Sequence, residues 1–225
     1  MKVVFFYTDD KLYSQHAKLL ELSLKKLGID YFSKSVSANE WQNIIAFKPQ
    51  FILEMREKFR GDLVYIDADA FVHSDFRPNF ENITEDIGVH YLKDEELISA
   101  TIFMKDSEKT LNFMQKWVEK QKANPEIWDQ KVMQETIEEF DISVKKLSPE
   151  YTFITDITKE RYADEVGKPI IEHLQASRES RYKKKNQKFL RKIFGIKKKP
   201  NHRLLFRRNR VKELSKSVNM EFEIE

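Results

Sequence analysis

Two aspartates lie inside an apolar stretch of the chain, the segment Gly61–Phe76, which reads GDLVYIDADAFVHSDF. Asp67 and Asp69 are separated by one residue, and their flanks, VYI and AFV, contain no lysine or arginine. Many Asp-x-Asp triplets are solvated loop ends, but apolar flanks predict partial burial, where two close carboxylates need a counter-charge. A divalent cation that prefers oxygen ligands, Mg²⁺ or Mn²⁺, satisfies both acids and leaves positions free for phosphate oxygens. The pair therefore predicts a metal site.

Alternating strand and helix patterns surround this pair. Short apolar runs predict strands over 2–8, 29–36, 63–66, 87–91, 97–104, 144–147 and 169–173. Capping residues and prolines predict helices beginning after Asp9 or Asp10, at Pro49, at Asp106 or Ser107, and at Pro125. The alternation predicts an α/β fold with a mostly parallel central sheet flanked by helices. Ligands of such sheets bind beyond the carboxyl ends of the strands, where the two aspartates are expected to lie.

The composition excludes several classes of protein. The 225 residues include no cysteine, which excludes disulfides, a thiolate zinc site and a cysteine nucleophile. The first apolar run, VVFFY, is too short for a signal peptide and predicts a strand instead. No apolar run approaches the roughly 20 residues that a membrane-spanning helix needs. We therefore expect a cytoplasmic protein.

Four separated segments of the chain resemble one protein family. DLVYIDADAF contains the acidic pair, and AFKPQFILEMREKFRGDLVYIDADAFV extends it back through a Lys-Pro helix. WDQKVMQETI carries an Asp-Gln pair, and IIEHLQASRESR carries a His-x-Gln-x-Ser-Arg pattern. In this order they resemble small bacterial and viral Asp-x-Asp glycosyltransferases with the GT-A fold, which use nucleotide-sugar donors. The resemblance covers about residues 2–181. It implies a GT-A (Rossmann-like) glycosyltransferase domain over 1–181 and leaves 182–225 as a separate basic tail.

The resemblance also implies metal ligands. Asp69 is expected to ligate the metal directly, Asp67 to contact the metal or the donor ribose, and His173 to complete the metal shell. Without the resemblance, a single histidine on a strand is more often an ordinary core residue. A histidine together with carboxylates favours Mn²⁺ somewhat over Mg²⁺. His73, four residues after Asp69, is expected to lie in a loop without binding the metal.

Further donor contacts are implied at both ends of the domain. Besides Asp67, the expected donor-binding residues are Tyr7, Thr8, Lys48, Ser99, Gln175, Ser177 and Arg178. Tyr7 and Thr8 end the first strand, where related enzymes hold the nucleotide base. The hydroxyl of Ser177 and the guanidinium of Arg178 suit diphosphate oxygens. Tyr7 as a core ring and Lys48 as a solvated helix-start lysine are the ordinary alternatives.

Asp129 and Gln130, the Asp-Gln pair, are the expected catalytic residues. If the reaction inverts the sugar configuration, a carboxylate is needed as the base that deprotonates the acceptor hydroxyl. If it retains the configuration, Asp129 instead binds sugar hydroxyls and stabilises positive charge at C1. A third alternative is an exposed acid in an acidic helix, because Glu135, Glu138 and Glu139 follow.

The charge distribution separates the last part of the chain from the rest. Residues 178–225 contain 17 basic and 5 acidic residues, whereas the first 177 contain 23 basic and 32 acidic residues. Apolar residues interleave with this charge: Phe189, Leu190, Ile193 and Phe194 form one group, and Leu204, Leu205 and Phe206 form a second. A basic amphipathic helix predicts an anionic membrane surface as partner, at the inner face of the membrane. The same charge also suits nucleic acid, or docking on the acidic body.

These alternatives imply different functions. Membrane binding favours a membrane-associated glycan as the acceptor, whereas DNA binding favours a phage-type enzyme that glycosylates modified bases. A hypothesis of another class is a nucleic-acid-binding module in which the Asp pair is structural. The sequence leaves all three open, and it does not decide between inversion and retention.

Overall fold

A computed structural model describes residues 1–37, 44–162, 166–190 and 199–224. Its centre is a six-stranded sheet with the strand order β2-β1-β3-β6-β5-β7. The strands are β1 (Lys2–Thr8), β2 (Tyr31–Val36), β3 (Leu63–Ile66), β5 (Ile87–Leu92), β6 (Glu96–Met104) and β7 (Val144–Lys146). Five strands run in one direction, and β6 is antiparallel to both of its neighbours, β3 and β5. The predicted α/β class with a mostly parallel sheet is confirmed.

Helices cover both faces of the sheet. One face packs against α2 (Ile44–Lys58), α4 (Glu108–Ala123) and α5 (Asp129–Glu139), around the fully buried rings of Phe51 and Trp117. The other face packs against α1 (Lys11–Lys26) and the short α3 (Arg77–Phe80). Consecutive residues of β1 alternate between these two cores, as the two-residue period of a strand requires.

A second sheet of two antiparallel strands lies beyond the end of β3. It consists of β4 (Ala70–Val72) and β8 (Ile171–His173), and its register places Ala70 opposite His173. The first residues of β4 directly follow the Asp-x-Asp pair, so this pairing brings the histidine of the distant segment to the two acids. The small sheet is therefore the element that assembles the site.

The ends of several helices follow from the local sequence. The Asp10 carboxylate accepts hydrogen bonds from the backbone N–H groups of Leu12 and Tyr13 at the start of α1, and Ser107 caps α4 through Thr110. Two predicted starts are wrong. Pro49 lies inside α2, which begins at Ile44, and Pro125 precedes α5, which begins at Asp129. A proline is compatible with a helix start, but it does not show which turn comes first.

Three helices follow the central part of the fold: α6 (Thr155–Tyr162), α7 (Ala176–Leu190) and α8 (His202–Ser217). Leu204, Val211 and Leu214 of α8, with Phe222 beyond it, are buried, and the last three of these pack against Leu19, Phe71 and Leu174. Leu205 and Phe206 remain 47% exposed, so the second predicted apolar group is divided between the interior and the surface. Helix α8 thus packs on the body of the protein.

Four arginines of α8, which we call the arginine group, reinforce this packing. Arg203, Arg207, Arg208 and Arg210 form ion pairs with Glu160, Asp156, Glu179 and Glu172, respectively. The predicted amphipathic face that includes Ile193 and Phe194 lies outside the described residues, and the side chains of Phe189 and Leu190 are likewise not described. Among the helices within the described ranges, none is long and apolar enough to cross a membrane.

Candidate active site

The candidate site lies where β3 ends, next to the small sheet. Asp67, Asp69 and His173 offer one ligand atom each, and these atoms all lie within 4.8 Å of one another. With Lys48, Ser99 and Asp129 they form a continuous group, which we call the site cluster. It contains three carboxylates and one amine.

Asp69 is the acid that the backbone holds in place. Its Oδ2 accepts a hydrogen bond of 2.7 Å from the N–H of Ala176, the first residue of α7, and its carbonyl accepts one of 2.8 Å from the N–H of Leu174. The positive end of a helix dipole favours a carboxylate at this position. Burial, followed by repulsion from Asp67, nevertheless raises the pKa of Asp69 to about 6. The carboxylate therefore lacks part of the positive charge that would stabilise its ionised form.

His173 is prepared to bind through one nitrogen. The Thr101 hydroxyl donates to the Tyr151 carbonyl at 2.7 Å, so at 3.0 Å from His173 Nε2 it acts as the acceptor. This arrangement assigns the ring proton to Nε2 and leaves a lone pair on Nδ1. Nδ1 is buried and has no hydrogen-bond partner among the described residues. Burial lowers the pKa of His173 to about 4, which keeps the ring neutral near pH 7, as a metal ligand must be.

Lys48 links the acidic pair to the predicted catalytic acid. Its Nζ lies 3.1 Å from Asp67 Oδ1 and 3.2 Å from Asp129 Oδ2, and it also contacts the Ser99 hydroxyl at 3.2 Å. Burial lowers the pKa of Lys48, but Asp129 and Asp67 outweigh this effect and hold the pKa above its usual value. The amine therefore stays protonated. The solvated lysine that the sequence left open as an alternative is not what the structure shows.

Asp129 is held from two sides. Its Oδ2 also accepts a hydrogen bond of 2.8 Å from the Ser99 hydroxyl on β6. Position 129 is the first residue of α5, and the buried Val132 and Met133 fix this helix against the sheet. Asp129 therefore belongs to the site cluster and is not simply an exposed acid of an acidic helix.

Other predicted residues lie around the cluster without joining it. Gln130 turns away, and its amide donates to Glu96 at 3.0 Å. Tyr7 and Thr8 end β1, next to β3, and Thr8 donates to Asp10. Gln175 lies between β8 and α7 with a positive φ of 57° and accepts a hydrogen bond from the exposed Arg178. Ser177 is partly buried in the first turn of α7.

The contacts of two residues in the site were not predicted from the sequence. Tyr65 donates a hydrogen bond of 2.8 Å to Asp67 Oδ1, and Thr101 orients His173. Tyr65 had a signal, since residues two apart on a strand share a face. Thr101 had none, because its role depends on the pairing of β6 with β3 and on the position of β8.

A divalent cation fits these residues. Two carboxylates and a neutral imidazole are a suitable ligand set for Mn²⁺ or Mg²⁺, and the Nδ1 lone pair of His173, which has no partner among the described residues, can bind such an ion. GT-A glycosyltransferases commonly use such an ion.

Comparison with known proteins gives a family and a fold. Residues 7–189 match the family model described as nucleotide-diphospho-sugar transferase. No protein of curated function matches the chain significantly. Similar solved structures include the glycosyltransferase GlyE of Streptococcus pneumoniae TIGR4, with a TM-score of 0.55 and 16% identity over 76% of this chain and 53% of GlyE. The chain thus spans about half the length of that relative.

Two further structures share the fold. A glycosyltransferase involved in the glycosylation of the major capsid of PBCV-1 has a TM-score of 0.59 and 12% identity, over 78% of this chain and 93% of its own. The galactosyltransferase LgtC has a TM-score of 0.50 and 14% identity, over 77% and 86%. The resemblance seen in the sequence is thereby confirmed. The chain has the GT-A fold and belongs to the nucleotide-diphospho-sugar transferase family, a family of glycosyltransferases.

Proposed function

We propose that the protein transfers a sugar from a nucleoside-diphosphate sugar to a glycan hydroxyl, with Mn²⁺ held by Asp67, Asp69 and His173. The observation that carries the proposal is the convergence of two acids and a neutral imidazole with a free Nδ1 at the end of β3. A bound ion supplies positive charge against the diphosphate leaving group.

The remaining roles in donor binding and catalysis fall to side chains near the metal ligands. Arg178, exposed in the first turn of α7, is suited to contact diphosphate oxygens from the same end of the sheet. Lys48 and Ser99 fix the Asp129 carboxylate from two sides, so that it meets the sugar or the acceptor without reorganising. In an inverting reaction Asp129 takes the proton of the acceptor hydroxyl; in a retaining one it stabilises the positive charge at C1. The contacts are compatible with both.

A groove beside Asp129 supports a glycan as the acceptor. Its volume is about 680 Å³, and Trp128 and Gln130, the two neighbours of Asp129 in sequence, line it. Trp128 is 60% exposed, and an aromatic face next to carboxylates and amides suits a sugar ring and its hydroxyls. Five acidic residues also line the groove: Glu95, Glu96, Glu126, Glu135 and Glu138. A groove this acidic repels DNA phosphates, which counts against the alternative of modified bases.

The basic tail also supports a glycan over DNA. The arginine group is occupied by carboxylates of the protein, so the charge left for an external partner is smaller than the sequence count suggests. Exposed Lys184 and Lys185 of α7 remain available for an anionic surface. We therefore keep peripheral association with an anionic membrane as the proposed localisation, with the glycan acceptor on that surface.

The test is the release of nucleoside diphosphate from a panel of nucleotide sugars, with water as acceptor, with and without Mn²⁺. We expect release for one donor that needs the ion, and a loss of at least about 100-fold in Asp69→Asn, because this variant removes a ligand charge and keeps the shape. Glu119→Gln, an exposed acid on α4, is the matched control. Full Mn²⁺-dependent release by Asp69→Asn would refute the assignment.

A further inference from the structure

Two consecutive residues of β8 face opposite sides of the small sheet. His173 belongs to the site cluster, whereas Glu172 faces α8 and its side chain is completely buried. Because neighbouring side chains on a strand point to opposite faces, any force that fixes Glu172 also fixes the backbone that carries His173. Contacts on the Glu172 face of β8 therefore influence the position of His173 on the opposite face.

Arg210 of α8 binds Glu172 through two N–H groups of its guanidinium, those of Nε and Nη2. Nε lies 3.0 Å from Oε1, and Nη2 lies 2.8 Å from Oε2. His73 Nε2 contacts the same carboxylate at 2.8 Å, and the Thr155 hydroxyl donates to it as well. A two-point contact between a guanidinium and a carboxylate restricts orientation as well as distance. Glu172 is thus held rigidly from α8.

Helix α8 also holds the element on the other side of His173. Arg208 binds Glu179 of α7 at 2.6 and 2.9 Å, and α7 begins with the Ala176 N–H that donates to Asp69. Leu174, directly after His173, packs in the apolar cluster that Val211 and Leu214 of α8 complete. Both flanks of the histidine are therefore anchored on the same helix.

We infer that Arg210 is a positioning residue for the metal site, which acts by fixing Glu172 and so the orientation of the neighbouring His173. Helix α8 lies beyond the segment 7–189 that matches the family model, so the family match does not cover this support. The inference rests on the proposed metal site. Arg210 does not touch the site cluster, and its effect passes through the backbone of β8.

Removal of the guanidinium is expected to loosen the ligand more than the fold as a whole. Residues that orient a metal ligand from behind typically change metal affinity by about 10- to 100-fold when substituted. Arg203, on the same helix, pairs with the exposed Glu160, and neither residue forms a hydrogen bond or an ion pair with β8 among the described residues. It is therefore the matched control for a lost arginine on α8.

The experiment measures the binding of Mn²⁺ alone to the full-length protein, from the EPR signal of the free ion, without a donor sugar. Arg210→Gln should raise the dissociation constant for Mn²⁺ by about 10-fold or more, within the range for such residues. The dissociation constant of Arg203→Gln should stay within about twofold of the wild-type value. Circular dichroism at the same temperature reports whether each variant is folded. A folded Arg210→Gln with unchanged Mn²⁺ affinity would overturn the inference.

A second variant separates positioning from simple stability. Arg210→Gln leaves Glu172 buried without its guanidinium, and Glu172→Gln combined with Arg210→Gln removes that unpaired charge. The double variant should recover much of the melting temperature and still bind Mn²⁺ about 10-fold more weakly. Recovery of both the melting temperature and the Mn²⁺ affinity would show that Arg210 has a purely structural role. If the wild type binds no Mn²⁺, or if Asp69→Asn binds it equally well, the proposed site itself fails.

Discussion

Two groups of charged side chains lie on opposite sides of β8, and they are built differently. In the site cluster, three carboxylates face one lysine, and the Nδ1 of His173 has no partner among the described residues. Behind the strand, each member of the arginine group meets a carboxylate of another element, and Glu172 has several donors. One group is short of positive charge and the other is balanced.

This difference is the one expected between a ligand-binding site, as we propose for the site cluster, and a structural group of charges. A buried group whose charges are not balanced costs stability and persists where a ligand completes it. A balanced group, by contrast, contributes rigidity and no vacant position. The opposite pKa shifts agree: burial raises that of Asp69 to about 6, whereas for Glu172 the donors, His73 first, outweigh burial and lower it to about 2.

The largest loss of stability is expected from removing helix α8, which carries the arginine group. A chain that ends at Arg181 lacks Val211, Leu214 and Phe222, and each buried side chain of this size contributes about 1.5–3 kcal/mol. It also leaves Glu172 without its partner Arg210. We expect the free energy of unfolding to fall by at least about 5 kcal/mol, measured by chemical denaturation.

The matched control for this truncation lies on the same helix. Leu205 and Phe206 are about half exposed, so replacing both with serine in the 225-residue chain should lower the free energy of unfolding by about 1.5–3 kcal/mol, less than the truncation does. A truncated chain as stable as the full-length one would show that α8 is an independent tail after all.

Within the site cluster, Asp129→Asn should reduce turnover about 100-fold and leave the Michaelis constant for the donor within about threefold. The amide keeps an oxygen that accepts from Ser99, so the helix start is preserved. Steady-state kinetics with water and with a glycan acceptor measure both constants. Equal losses in donor affinity and turnover would place Asp129 in donor binding instead.

Trp128→Ala is the companion variant. It should leave donor hydrolysis by water unchanged and weaken transfer to the glycan acceptor, because Trp128 lines the groove and lies outside the site cluster. Unchanged transfer in this variant would remove the groove from the proposed acceptor site.

The remaining comparison concerns pH and tests the two acids directly. The pKa of Glu172 is about 2 in the folded protein against an ordinary value of 4.5, so its ionisation stabilises the fold above pH 4.5. That contribution, about 3 kcal/mol, is lost as the pH falls through 2. Glu172→Gln should therefore flatten the acid limb of the stability profile, measured by denaturation between pH 2 and 7.

For Asp69 the sign is reversed. A folded pKa of about 6, raised from 3.8, means that the metal-free fold loses stability as the pH rises from 3.8 to about 6 and stays less stable above that. Asp69→Asn should therefore raise the melting temperature of the metal-free protein at pH 7 and have little effect at pH 4. Destabilisation at pH 7 would show that Asp69 is a structural acid.

Much of the site could be predicted from local sequence. The apolar flanks of Asp67 and Asp69 indicated a strand end with a need for cations, whereas His173 was expected as a third ligand only because of the family resemblance. These signals work because the period of a strand and its boundary residues are local properties. The order of strands and helices predicted the fold class for the same reason.

Only the tertiary structure decided which charged side chains pair over long distances in the sequence. Lys48 could have been a solvated lysine, Gln130 was expected in the site, and the arginines of α8 could have faced a membrane or DNA. Their partners lie on distant elements: Asp67 and Asp129 for Lys48, Glu96 for Gln130 and Glu172 for Arg210. The sequence alone determined which charges the chain carries and how they repeat. Which of them neutralise one another depends on strand register and helix packing, because a flexible side chain reaches whichever opposite charge the fold brings within a few ångströms.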